Sequence, residues 1–184
     1  MFLSLNLFPK QINFMPKPNL QFEPQYFHRY INLVTINEIY DALKNDLFNS
    51  LERIKSIPED KLNYFYENDK FTVAELLQHI IDTERIFSYR ALCFARGEKS
   101  HLPGFDENVY AKNSNANKKS KTDLLEEYES VRNATISLYK NFDETDLNKF
   151  GTSNNYLVSL NALGFIIVGH CIHHFLILQK RYNV

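Results

Sequence analysis

Apolar residues recur every three or four positions through four separate stretches of this chain, the spacing of amphipathic helices rather than the alternation of strands. The first stretch runs roughly from Asn37 to Ile57, with Ile39, Leu43, Leu47, Leu51 and Ile54 on one face and Pro58 stopping it. The second opens at Thr72 in "TVAE", where Thr72 can cap the amide of Glu75 and Glu75 can reach back, and continues to about Arg96, where Gly97 ends it. The third is expected from Ser120 to Phe142, begun by a Ser120 to Asp123 box, with Leu124, Leu125, Tyr128, Val131, Thr135 and Leu138 turned inward. The fourth is expected from about Ser159 to Tyr182. No convincing strand pair appears.

Four such helices predict an all-α fold, a four-helix bundle. The second and third are joined by "EKSHLPGFDENVYAKNSNANKK", longer than most connections in a compact domain, so it either has a job or moves. A connection of that length suits a topology other than simple up-down-up-down. Pro16, Pro18 and Pro24 mark an extended lead-in, so residues 1–30 read as a partly irregular N-terminal extension and residues 31–184 as the bundle domain. The first segment, "MFLSLNLFPKQINF", lacks the basic start and cleavage site of a signal peptide. It reads as an upstream start-site extension or a loosely ordered tail, with Met15 opening a more ordinary beginning.

Composition narrows the function classes. At 184 residues and 44% hydrophobic, the chain can bury one core, and one domain is expected. Its net charge of −1, from 21 basic and 22 acidic side chains without a long run, leaves no footprint for nucleic acid or an anionic membrane. No stretch is read as holding the roughly 18 to 20 apolar residues that span a bilayer. Cys93 and Cys171 stand apart in apolar helical settings, which fits a reducing compartment and predicts a cytoplasmic protein.

The chemistry concentrates in "GHCIHHFLILQKRY". His170 and His174 stand at i, i+4 on the inward stripe of the fourth helix, so both imidazoles can turn to one point. His79 falls within the inward stripe of the second helix and offers a third. Three histidines around a metal leave a position for water or substrate, the arrangement of a catalytic rather than a structural site. His173 competes for the pairing with His170 but lies off the stripe; His28 and His101, in irregular segments, read as non-ligands. Spacing alone leaves hydrogen-bonded core histidines equally open. Neither H-E-x-x-H nor paired Glu-x-x-His motifs are present, which sets aside zincin and di-iron readings. Asp82, Glu84, Arg85 and Arg90 read as a solvated charged face, with Asp82, one turn past His79, the candidate partner for that ligand's free ring nitrogen. Tyr89, Tyr128 and Tyr139 read as core and rim aromatics.

"LLQHIIDTERIFSYRALCFARG", "LPGFDEN" and "GHCIHHFLILQKRY", in this order, resemble the DinB superfamily of metal-binding bundles, over roughly residues 37–182 and in a bacterial branch. The resemblance implies an up-down-down-up bundle with a long loop between the second and third helices. It implies one divalent ion, zinc, nickel or iron, held by His79, His170 and His174. Characterised members include bacillithiol transferases and a mycothiol-dependent isomerase. The implied function is thus a thiol-dependent S-transferase or a hydrolase acting on a small electrophile, with a low-molecular-weight thiol as partner and a homodimer as the assembly. The alternative is a non-catalytic metal-binding homodimer of stress-response type. Two positions depart from the pattern: Phe71 replaces a tryptophan, and Cys171 replaces a frequent glutamate. In "LPGFDEN", Asp106 or Glu107 can meet substrate if the segment is a lid, or Leu102 and Phe105 can simply anchor a turn.

Overall fold

The computed structural model describes residues 16–184, so the reading of residues 1–14 falls outside what it describes. A short helix, α1 (Gln25–Ile31), precedes the long α2 (Ile39–Ser56) and α3 (Val73–Ala95). The connection after α3 carries α4 (Glu107–Asn113), and the third long helix is α5 (Lys121–Lys140). A single turn, α6 (Glu144–Leu147), leads through strands β1 (Phe150–Ser153) and β2 (Tyr156–Ser159) to α7 (Leu160–Ile177), which continues as a wider π-helical turn over Leu178–Tyr182.

The long helices begin where their caps place them. Thr72 accepts from the Glu75 amide at 3.1 Å while Glu75 accepts from the Thr72 amide at 2.8 Å, and Ser120 with Asp123 repeats the arrangement on α5. α3 packs on α7 and α5, and α2 packs on the same two, which closes a four-helix bundle with α2 and α3 across from each other. α1 lies on α7.

Two expectations are corrected, and the structure bears on a third, open one. A hairpin does exist: β1 and β2 pair antiparallel around Asn154 and Asn155, both at positive φ (47° and 64°), the backbone that matches strand twist in a two-residue turn. With four residues per strand it left no usable alternation. The proline-marked lead-in is not extended throughout, since Gln25–Ile31 is helical and buries Phe27, Tyr30 and Ile31. The long connection is ordered by α4 and by Leu102, whose amide donates to the Thr152 carbonyl at 2.9 Å beside β1.

α7 is the central element. Leu160, Ala162 to Cys171 and Phe175 are buried, so its apolar character wraps the helix rather than forming one stripe. By length and composition alone Leu160–Tyr182 could cross a membrane, against the expectation that no stretch would; 67% of an apolar 18-residue stretch within it is buried inside the protein, which accounts for its apolarity as core.

The charged run on α3 is likewise corrected. Asp82 and Arg85 are accessible, but Glu84 and Arg90 are buried. Glu84 faces Arg132 of α5, which is fully buried and also reaches Asp46 of α2 at 2.6 Å. This charge cluster ties three of the four long helices together in the middle of the bundle.

Candidate metal centre

α3 and α7 bring three of the six histidines to one point. The Nε2 atom of His170 lies 3.1 Å from Nε2 of His79 and 3.0 Å from Nε2 of His174. One ligand atom from each lies within 4.8 Å of the other two. His173 turns away from this point, its ring edge-on to Tyr30 at 5.4 Å. His28 meets the Glu23 carbonyl at 3.0 Å, and His101 is exposed.

Neutral imidazoles alone satisfy this arrangement badly. An imidazole nitrogen bears either a proton or a lone pair, so Nε2 of His170 can form one good hydrogen bond, yet two nitrogens face it. A divalent ion uses three lone pairs at once. With bonds of about 2.0 to 2.1 Å in a tetrahedral site, nitrogens stand roughly 3.3 Å apart, close to the 3.1 and 3.0 Å that separate His170 from His79 and His174. The donor set therefore fits a metal ion.

Electrostatics point the same way. Burial is the main cause that lowers the pKa of His79, His170 and His174, and neighbouring imidazoles lower the last two further. All three are held neutral, the form that ligates.

The support behind the imidazoles is thin. Thr83 stands 3.5 Å from Nδ1 of His79, one helical turn on, and Nδ1 of His174 is buried without a partner among the described residues. Asp82, the candidate for the first role, instead accepts from Gln78 at 2.9 Å and Arg85 at 3.2 Å. Cys171 is buried against Ser50 and Tyr128, each 3.4 Å away, and burial pushes its thiol far above the ordinary range. It is the small core residue that the sequence suggests. Tyr128 and Tyr139 are core as well, while Tyr89 is exposed.

The triad opens into a cleft of about 350 Å³. α1 supplies Tyr26, Arg29 and Tyr30 to its wall, the hairpin supplies Asn154 and Tyr156, and α3 supplies Phe87 and Arg90. The "LPGFDEN" segment anchors a turn and borders the cleft. Leu102 is its buried anchor, and Phe105 and Glu107 line the cleft, whereas Asp106 caps α4 by accepting from the amides of Asn108 and Val109. Arg90, α1 and the hairpin were not legible as site elements; their placement depends on tertiary packing.

The DinB superfamily model matches residues 43–178. Among solved structures, the chain resembles YfiT from Bacillus subtilis, described as a probable metal-dependent hydrolase with an unusual four-helix bundle topology. The two share 13% identity at a TM-score of 0.69, over 91% of this chain and 93% of that one, a likeness of fold. No curated protein matches the chain.

Proposed function

The chain belongs to the DinB superfamily, and from that premise we propose that it is a divalent-metal-dependent enzyme acting on a small molecule, either as a hydrolase or as a thiol-dependent transferase. The observation that carries this reading is the convergence of three neutral Nε2 atoms at the inner end of an open cleft. The description of YfiT as a probable metal-dependent hydrolase supports the same chemistry.

In this reading His79, His170 and His174 hold the ion by Nε2, and the cleft supplies the remaining position to water, thiol or substrate. A divalent cation there favours the deprotonated form of a water or thiol near neutral pH. Glu107 provides a carboxylate within the cleft that can take up a proton. The helices are read as running up-down-down-up. In support, Gln78 contacts Glu127 and Ser88 contacts Thr135, pairs that advance together along α3 and α5, whereas Asp46 meets Tyr128 and Lys55 meets Lys121, pairs that run oppositely along α2 and α5.

One observation favours a second reading, a non-catalytic metal-binding bundle. Among the described residues no carboxylate hydrogen-bonds a ligand imidazole, and the glutamate frequent at position 171 is a core cysteine.

Elemental mass spectrometry on untagged protein tests the site. Near-equimolar metal is expected in wild type and His173→Ala, and its loss in His79→Ala, His170→Ala and His174→Ala with helix content retained. Metal-dependent turnover of a generic electrophile, with or without thiol, then separates the two readings. A wild type that stays empty after reloading with zinc, nickel and iron refutes both.

A further inference from the structure

Arg90 is 5% exposed, yet among the described residues no carboxylate pairs with its guanidinium. Among the described residues its one hydrogen bond joins Nη2 to the Pro103 carbonyl at 2.8 Å, and the group lies 5.3 Å from the Phe87 ring centroid. A buried cation ordinarily has an anionic partner, as Arg132 has in this same bundle. Burial lowers the Arg90 pKa with no carboxylate to offset it, though a guanidinium stays charged at any ordinary pH.

This unpaired cation faces the cleft rather than solvent. Phe87, against which it lies, is also 6.4 Å from the His170 ring, so the guanidinium and the triad flank one aromatic side chain. Arg29 adds a second guanidinium at the rim, stacked on Tyr26 and Tyr30 at 4.2 and 4.8 Å and equally without a carboxylate partner among the described residues. Among the described residues Glu107 is the lone carboxylate on the wall, and the imidazoles are neutral, so that lining carries net positive charge. The rest of the wall is largely aromatic.

We propose that the cleft accepts a small carboxylate with an apolar or aromatic body, its carboxylate seated on Arg90 and its reactive end directed to the histidine triad. The fork of guanidinium donors matches a carboxylate, and only one donor is used by Pro103. This rests on the cleft being the substrate site of the metal-dependent reading, but the anion seat itself needs no metal.

The test uses metal-free full-length protein, with 3-phenylpropionate and its uncharged counterpart 3-phenylpropionamide titrated calorimetrically. Wild type is expected to bind the carboxylate at least about tenfold more tightly than the amide, the size of a charge-assisted hydrogen bond. Arg90→Gln, which can still donate to Pro103, is expected to erase that preference, Arg90→Lys to keep part of it, and Arg29→Gln to reduce it less than Arg90→Gln does. A residue that merely holds the Pro103 segment changes both affinities together and leaves their ratio intact. The proposal is overturned if wild type binds neither compound at millimolar concentration, if it binds both alike, or if the preference survives in folded Arg90→Gln. Zinc stoichiometry on the same samples reports separately on the metal-dependent reading, so either can fail alone.

Discussion

Arg132 meets Glu84 through two parallel bonds, Nε to Oε1 at 2.8 Å and Nη2 to Oε2 at 2.9 Å, in the interior of the bundle. Asp46 completes the cluster at 2.6 Å from Nη1, and Tyr128 donates to the same Asp46 carboxylate at 3.2 Å. Burial acts to lower the Arg132 pKa, but Glu84, Tyr128 and Asp46 outweigh it and hold the guanidinium firmly charged. One cation and two carboxylates from three helices thus fix how those helices sit against each other.

Truncating the cation leaves two carboxylates buried and facing one another. Arg132→Met is expected to cost about 3 to 5 kcal/mol, read as a lowered midpoint in urea with an unchanged slope. A triple replacement, Arg132→Met with Glu84→Met and Asp46→Leu, is expected to recover much of that loss, because no charge is then stranded. If Arg132→Met unfolds at the wild-type midpoint, the cluster does not hold the bundle together.

The partners behind the proposed metal ligands are weak, and this sets a graded expectation. Thr83 lies at the limit of hydrogen bonding to His79, so Thr83→Val is expected to weaken zinc binding by less than about tenfold, at the low end for such partners. Asp82→Asn is expected to leave affinity unchanged, since Asp82 is engaged with Gln78 and Arg85. Competition against a chromophoric chelator measures both. A hundredfold loss in Asp82→Asn would restore the role that its sequence position suggested.

What was legible in the sequence follows from where local rules decide the outcome. The starts of α3 and α5 rest on capping boxes built from neighbouring residues, so Thr72 and Ser120 marked them within one position. The histidine pair was legible because i, i+4 spacing is itself a geometry, and His79 because the face of α3 was. Arg132 was not, since a charged residue within a helix reads as outward unless its partner is known, and Glu84 and Asp46 lie 48 and 86 positions away. The hairpin rested on Asn154 and Asn155 alone. Arg90 entered the charged run for the same reason as Glu84: sequence records charge, not burial.

Acid should weaken the α3 to α5 contact in a defined way. Burial pushes the Glu127 carboxyl up, but hydrogen bonds from Lys119, Arg85 and Gln78 together prevail and hold it below the ordinary 4.5. A depressed carboxylate contributes stability above its unfolded value and loses it as pH falls through the folded one. The contribution is therefore present at neutral pH and fades below about 4.5. Glu127→Gln is expected to lower stability modestly at pH 7, as the pair partners are partly solvated, and to flatten the decline on acidification. Parallel pH profiles for the two proteins would remove Glu127 as a source of the acid sensitivity.

Gly169 precedes His170 on α7, and its lack of a side chain is what lets α1 lie so close. A methyl group there would overlap the backbone carbonyl of Tyr30, which cannot swing aside as a side chain can. Two effects oppose each other in Gly169→Ala: alanine favours the helix by about 1 kcal/mol, and the overlap costs about 1 to 3 kcal/mol through displacement of α1. The overlap is expected to win, because the carbonyl belongs to an element already buried through Phe27 and Ile31. The variant should melt lower and show faster amide exchange in Gln25–Ile31, since Tyr30 leaves its place 5.5 Å from the His170 ring. Metal stoichiometry should persist, because the three histidines proposed as ligands belong to α3 and α7 and none to α1. A variant that gains stability would mean that α1 can yield at no cost, and the wall it gives the cleft would then be a movable one.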